Sequence, residues 1–580
     1  MSKRLYKYTE IRDLKEMLKI SGEEYGEKVA YKIRIEKEKY KEITHNEVRK
    51  MIDSLGTALI NMGLKGKRIA VIGENRYEWE IAYLSVVCGT GIIVPLDKSL
   101  PENELKELIK RSEVEAIFFT KKYEETLKKI KLEGIGKLKH LISMDLKEHK
   151  EGIYSQEELI GIGERLIKKG NTEFTKAEID NGKMSIMLFT SGTTSQSKVV
   201  ALSHKNICSN LMDIASVLDV NSEDVFLSFL PIHHVFECTV GFLFSLYRGA
   251  QTVFCDGIRH IPDNMKEYKV TVMASVPGIY ERLFKIIRKQ IEKRGDLEEI
   301  LQKEEKYRSA SMEEKKQAFK EIHDMLGGNV KLLISGAARL DPGIEKKYRD
   351  LGFNIVQGYG LTETSPVVAI GSNKYYKVGS IGKTVPSVEA KLVDCDQEGM
   401  GELIVKGPTV MLEYFGNEEA TKKAIIDGWF YTGDLAKIDS EGYIFICGRK
   451  KSVIVFKNGK NIFTEEIENL INKIEGVEES FVYEKQMAED KEDTKIFAKI
   501  VINEETVKEA YKVNSKDEIY EAINKKIKEI NKTMPHYKAV RGIILTQEPL
   551  IKTTTNKIKR EKNLEQIMKE EKNGTTKFKN

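Results

Sequence analysis

Two hydrophobic patterns alternate along residues 67–120. Residues 68–73 (RIAVIG), 91–96 (GIIVPL) and 115–120 (EAIFFT) are short, almost wholly apolar runs of strand length. Between them, 79–87 reads as a helix, and 102–111 repeats Leu105, Leu108 and Ile109 at helical spacing. Strands alternating with helices predict βαβ units and a largely parallel sheet. Residues 270–275 and 330–335 are further short apolar runs ahead of Pro or Gly. The fold class this predicts is α/β. The pattern changes over 291–326, where about half the residues are charged, and a solvated helical hairpin on the surface is expected. Residues 442–447 form an apolar β segment, followed by a Lys-rich turn, a strand at 453–456 and a helix opening at Thr464. A boundary is therefore placed at 448–452. The last ~110 residues carry enough signals for a small α+β domain. The end of the chain (EEKNGTTKFKN) reads as a frayed tail.

Composition narrows the class. The 580 residues allow roughly three to five domain-sized units. With 41% hydrophobic and 32% charged residues, the chain reads as a soluble globular protein. The 95 Lys+Arg nearly balance the 90 Asp+Glu, so the net charge of +5 gives no support for nucleic-acid binding. Apolar runs such as 239–246 fall well short of the ~20 residues of a membrane span, and the N-terminus lacks the apolar middle of a secretory signal. Cys88, Cys208, Cys238, Cys255, Cys395 and Cys447 are scattered without a CxxC pair, which fits a reducing cytosol better than a disulfide framework.

The most informative chemistry lies at 187–200, MLFTSGTTSQSKVV. An apolar strand leads into Thr190, Ser191, Gly192, Thr193, Thr194, Ser195, Gln196, Ser197 and Lys198, followed by a helix start at SHKNI. Gly and small hydroxyl residues let backbone N–H groups and side-chain hydroxyls approach phosphate oxygens, and the lysine adds a positive charge. The loop is not a Walker A loop, because Ser197 and Val199 stand where that pattern needs Gly and Ser/Thr.

This loop resembles the phosphate loop of the adenylate-forming superfamily, which includes acyl-CoA synthetases, luciferases and peptide-synthetase adenylation domains. The usual TSGTTGxPKG differs here at Ser195, Ser197 and Val199. Further motifs follow in the family's order. Residues 357–363 (QGYGLTE) resemble the YGxTE motif, which implies that Gly358, Tyr359 and Gly360 meet adenine, Thr362 meets phosphate, and Glu363 with Thr190 holds Mg²⁺. Ser335, Gly336, Ala337 and Ala338 resemble the adenine-binding turn. Residues 431–434 (YTGD) imply that Asp434 binds the ribose hydroxyls. Residues 448–451 (GRKK) resemble the hinge, with Arg449 near the ribose and Lys451 at the pivot. Residues 460–468 match the family's NIxPxEIE with Thr464 for Pro, a residue that also suits a helix N-cap. Residues 552–560 (KTTTNKIKR) place Lys557 at the catalytic lysine, with Asn556 for Gly.

Residues 230–237 (LPIHHVFE) resemble a motif that puts His234 at the mouth of the acyl pocket. Glu237, Cys238 and Cys255 lie nearby in sequence, but without the paired spacing of a zinc site. Asn75–Trp79 (NRYEW), the segment from 276 to 285 and the charged insertion resemble bacterial long-chain fatty acid–CoA ligases. The resemblance implies a large domain (1–448) of α/β subdomains, a hinge (449–452), a C-terminal lid domain (453–565) and a tail (566–580). It implies a cytoplasmic ligase that makes acyl-AMP from a fatty acid and ATP, then transfers the acyl group to CoA. Left open are an acyl carrier protein in trans as acceptor, a medium-chain acid, a non-catalytic nucleotide-binding role, homodimerisation and peripheral contact with the inner membrane face.

Overall fold

The structure, a computed structural model, describes residues 3–190, 198–455, 461–487, 490–552 and 558–572. Among them, two large sheets build most of the chain. The first runs in the order Glu413–Tyr414, Lys198–Ser203, Met184–Thr190, Ile92–Pro95, Arg68–Ile72, Ala116–Phe119, His140–Ser143 and Ile153–Ser155. From Met184–Thr190 to Ile153–Ser155 neighbouring strands are parallel; the two strands at the other edge pair antiparallel. Ile69, Ala70, Val71 and Ile72 are all buried, and they face two different core clusters in alternation. A strand covered on both faces has no polar face, which is why its sequence reads as a continuous apolar run.

The second sheet centres on parallel strands Gln251–Phe254, Val225–Ser228, Val272–Ser275, Leu332–Ser335 and Ile355–Gly360, with antiparallel strands at both edges. Strand order reverses direction at Val225–Ser228 in this sheet and at Arg68–Ile72 in the first. Ligands of open α/β sheets sit beyond the carboxyl ends of strands at such reversals. Here the two reversals are tied together: the Asn75 side-chain amide donates to Ser228 Oγ at 2.9 Å and to the Leu230 carbonyl at 2.7 Å.

A smaller antiparallel sheet follows, built from Glu389–Val393, Gly401–Lys406, Trp429–Ile438, Ile425–Ile426 and Ile444–Arg449. Beyond it, Val453–Val455 pairs with Asn461–Phe463, and Val477–Met487, Asp490–Ile502 and Val540–Thr546 form a sheet. These last strands share a core with Thr464–Ile471 and Lys516–Lys532, helices that present Ile467, Ile471, Ile519, Ile523 and Ile527 to it. The two parts touch through an ion pair of 2.6 Å between Lys473 and Asp341.

Two expectations are corrected. Residues 291–326 are not a hairpin: the long helix Pro277–Arg294 is followed by Leu297–Lys306, Met312–Ala318 and Lys320–Met325. Leu297–Lys306 has no fully buried residue, though Ile300 packs against the core, whereas Phe319, Ile322, His323 and Leu326 are each 2% exposed. His323 stacks on Phe353 at 3.9 Å and bonds to the Leu351 carbonyl, and burial lowers its pKa to about 4. Nor is Thr464 an N-cap: Phe463 takes that place without a side-chain bond, and the Thr464 hydroxyl donates to the Ser452 carbonyl at 3.3 Å.

Candidate active site

Local chemistry shapes the phosphate-loop flanks. Met184–Thr190 ends at Thr190, whose hydroxyl donates to the Lys198 carbonyl at 3.4 Å across the antiparallel pair. Ser203 then caps helix His204–Val217 in a reciprocal box with Asn206. The same Asn206 reaches the carbonyls of Pro408 and Val410, at 2.7 and 2.9 Å. The expected phosphate ligands Ser191, Gly192, Thr193 and Thr194 lie outside the described residues, as does Lys557.

Tyr359, on strand Ile355–Gly360, donates its hydroxyl to Asp434 Oδ2 at 2.5 Å. Asp434, 3% exposed, pairs in register with Arg449, whose Nε lies 3.0 Å from Oδ1. The Asp434 carboxylate raises the Arg449 pKa against the opposing effect of burial, with Tyr359, Glu465 and Glu363 adding to it. Burial, then Asp434, keeps the proton on the Tyr359 phenol. Gly360 has a steric reason: a Cβ there would stand 1.8 Å from the Pro366 carbonyl oxygen. Gly358 is the first residue paired with Val367–Ile370, opposite Ile370.

Thr362 and Glu363 sit on the single turn Thr362–Thr364 that follows. Glu363 Oε1 accepts the Tyr414 hydroxyl at 2.7 Å, and Lys198 Nζ lies 4.1 Å from the centre of the same ring. Burial lowers the Lys198 pKa, Glu363 opposes that shift, and Lys451 reinforces it. Lys451 itself is exposed, on the turn Lys450–Ser452. Gly336, Ala337 and Ala338 follow strand Leu332–Ser335; Gly336 N donates to the Ser275 carbonyl at 3.0 Å, and Ala337 adopts φ +65°. A Cβ on Gly336 would stand 2.8 Å from the Phe236 ring, so that ring fixes the turn's approach. His234 Nδ1 accepts from Phe236 N at 3.3 Å, which orients the imidazole.

The structure thus gathers Tyr359, Asp434 and Arg449 with Glu363 and Lys198 from three separate sheets. Among the described residues no group of three His, Cys, Asp or Glu side chains is placed to hold a metal ion. Glu237 instead accepts from Ser228 Oγ at 2.6 Å, and burial raises its pKa to about 8. The sequence reading missed Tyr414 and Phe236. Phe236 lies within the motif at 230–237 with no role assigned to it there, but Tyr414 stands in VMLEYFG with no local pattern to mark it.

A family model described as AMP-binding enzyme matches residues 18–415. The chain belongs to the AMP-binding enzyme family. Among the relatives of this AMP-binding enzyme are long chain acyl-CoA synthetase 3 of Arabidopsis thaliana and long-chain-fatty-acid–CoA ligase 6 of Mus musculus. The first is 27% identical over 77% of this chain and 72% of its own length; the second is 28% identical over 77% and 68%. The AMP-binding fold superposes on ATP-bound MatB from Rhodopseudomonas palustris with a TM-score of 0.74 at 24% identity, covering 96% of this chain and 98% of that one. It also superposes on O-succinylbenzoate coenzyme A synthetase from Bacillus subtilis, solved with ATP and magnesium, with a TM-score of 0.70 at 19% identity, covering 94% and 99%.

Proposed function

We propose that this AMP-binding enzyme is an acid–thiol ligase that activates a long-chain fatty acid as acyl-adenylate and passes the acyl group to CoA. The observation that carries the reading is the Tyr359–Asp434–Arg449 cluster meeting Glu363 and Lys198. Relatives named as long-chain acyl-CoA synthetases direct it to fatty acids.

In the first half-reaction a carboxylate oxygen of the acid bonds to the α-phosphorus of ATP, and the bond to the bridging oxygen breaks to release pyrophosphate. Two anions approach one another, so fixed cations matter most here. Lys557 would bridge the carboxylate and the α-phosphate, while Lys198 and residues 190–194 would hold the β- and γ-phosphates. Thr362 would also face phosphate. Asp434 would accept from the ribose hydroxyls, with Arg449 holding its carboxylate. Tyr359, Gly358, Gly360 and the backbone of 336–338 would enclose adenine, and His234 would stand at the acyl entrance.

A hard cation fits Glu363: Tyr414 holds one of its oxygens, leaving the other free to ligate. One carboxylate with the Thr190 hydroxyl, phosphates and water is a usual Mg²⁺ shell. When bound, Mg²⁺ would draw charge from the phosphates. In the second half-reaction the CoA sulfur bonds to the acyl carbon, and the carbon–oxygen bond to AMP breaks. We place the pivot between the two steps at 449–452, with Lys451 as hinge, dividing 1–448 from 453–565.

The test is release of AMP and pyrophosphate from MgATP across C2 to C20 acids, with and without CoA. Sustained release that peaks with long acids and requires CoA is expected. A single-turnover burst indifferent to CoA would point to another acceptor, such as an acyl carrier protein. No release with any acid would overturn the reading.

A further inference from the structure

Tyr414 occupies a segment stitched to both halves of the candidate phosphate site. On one side, Leu412 N and Phe415 N donate to the carbonyls of Ala201 and Val199, at 3.0 and 2.8 Å. On the other, Met411 N donates to the Glu363 carbonyl at 2.8 Å, and Ser365 Oγ donates to the Thr409 carbonyl at 2.8 Å. The backbone of Tyr414 is therefore fixed relative to both the Lys198 strand and the Glu363 turn. Its ring is 4% exposed, so the side chain has little freedom of its own.

The side chain then does two things at once. Its hydroxyl donates to Glu363 Oε1, and its ring lies under the Lys198 ammonium. A donor held on one carboxylate oxygen occupies one of its lone pairs and fixes the carboxylate's orientation, which favours one-oxygen over two-oxygen coordination. An ammonium over an aromatic face is held by the ring's quadrupole without being neutralised, so its charge stays available to phosphate. A carboxylate partner in place of the ring would spend that charge.

We infer that Tyr414 is a positioning residue that sets the cation carboxylate Glu363 and the phosphate lysine Lys198 as one unit. The inference rests on the proposed ATP chemistry. It separates two contributions of a single side chain: the hydroxyl governs the metal, and the ring governs the lysine.

The full-length chain, Tyr414→Phe and Tyr414→Leu test it. ATP binding is followed by calorimetry at graded Mg²⁺ and in EDTA, with Mn²⁺ resonance spectra as a second readout of the metal. Tyr414→Phe is expected to raise the half-saturating Mg²⁺ about ten- to a hundredfold, with metal-free ATP binding unchanged; a lost hydrogen bond to a charged group has that size. Tyr414→Leu is expected to weaken ATP binding in EDTA as well. An unchanged Mg²⁺ requirement in Tyr414→Phe, beside a wild type that binds MgATP, overturns this inference alone. A wild type that binds no MgATP overturns the functional reading along with it. If Tyr414→Leu does not fold, the Phe variant and its Mn²⁺ spectrum still decide.

Discussion

Asp434 is a buried carboxylate with a partner on each of its oxygens. Burial alone would make an unpaired carboxylate costly. Here Arg449 pairs with one oxygen and Tyr359 donates to the other. Replacing Asp434 by Asn removes the charge and leaves Arg449 without its principal partner. The expected outcome is an ATP affinity at least about tenfold weaker, equivalent to ~1.4 kcal/mol, read by calorimetry. The other clusters explain what was legible from residues alone. Tyr359, Asp434 and Arg449 were all marked by short motifs, because each motif fixes its own turn or strand. Tyr414 was not, because its role arises only when Glu413–Tyr414 pairs with Val200 and Ala201 far back in the chain. No local window contains that pairing. Ser191–Thr194 and Lys557, though named from the sequence, lie outside the described residues.

Among elements, the strands and helices of 68–120 were readable because burial on both faces, or on one stripe, leaves a regular pattern in sequence. The helix expected at 79–87 is displaced to Tyr77–Ser85 and runs on into a π-helix at Val86–Thr90, a change that apolar composition does not encode. The insertion failed for a different reason. Averaged over 291–326 it is polar, and the average concealed Ile322, on helix Lys320–Met325, and Phe319 and Leu326 at its two ends, all of which enter the core. The two ends of that insertion should therefore respond differently to substitution. Phe319→Ala is expected to cost about 3–5 kcal/mol in chemical denaturation, the range for a buried aromatic ring. Leu301→Asp, at a position 49% exposed, should stay within about 0.5 kcal/mol of wild type. Equal losses at both sites would mean that the Leu301 face of the Leu297–Lys306 helix is packed in solution.

For the whole molecule, the proposed two-step chemistry requires the C-terminal portion to change its position. The described contact between Lys473 and Asp341 is a single ion pair with a well-exposed lysine, worth about 0–1 kcal/mol. That ion pair resists movement little, and beside the hinge at 449–452 the Phe463 ring packs against Gly448. Lys451→Pro, which restricts the hinge backbone, is expected to slow thioester formation from supplied acyl-adenylate at least as much as it slows adenylation. Normal overall turnover in that variant would remove the hinge role.

The edge strand Glu413–Tyr414 has a consequence for how the chain reaches its native state. It closes onto residues that were synthesised roughly two hundred positions earlier. Before that closure Asn210, bonded to the Val367 backbone, still ties the Glu363 turn to the helix after Lys198, but Tyr414 does not yet join the two side chains. A ligand that recognises the assembled site therefore binds the finished fold and not its precursors, and draws the folding equilibrium forward by mass action. Nucleotide added during refolding should act as a template for the last strand, so that occupancy and completion of the fold become one event.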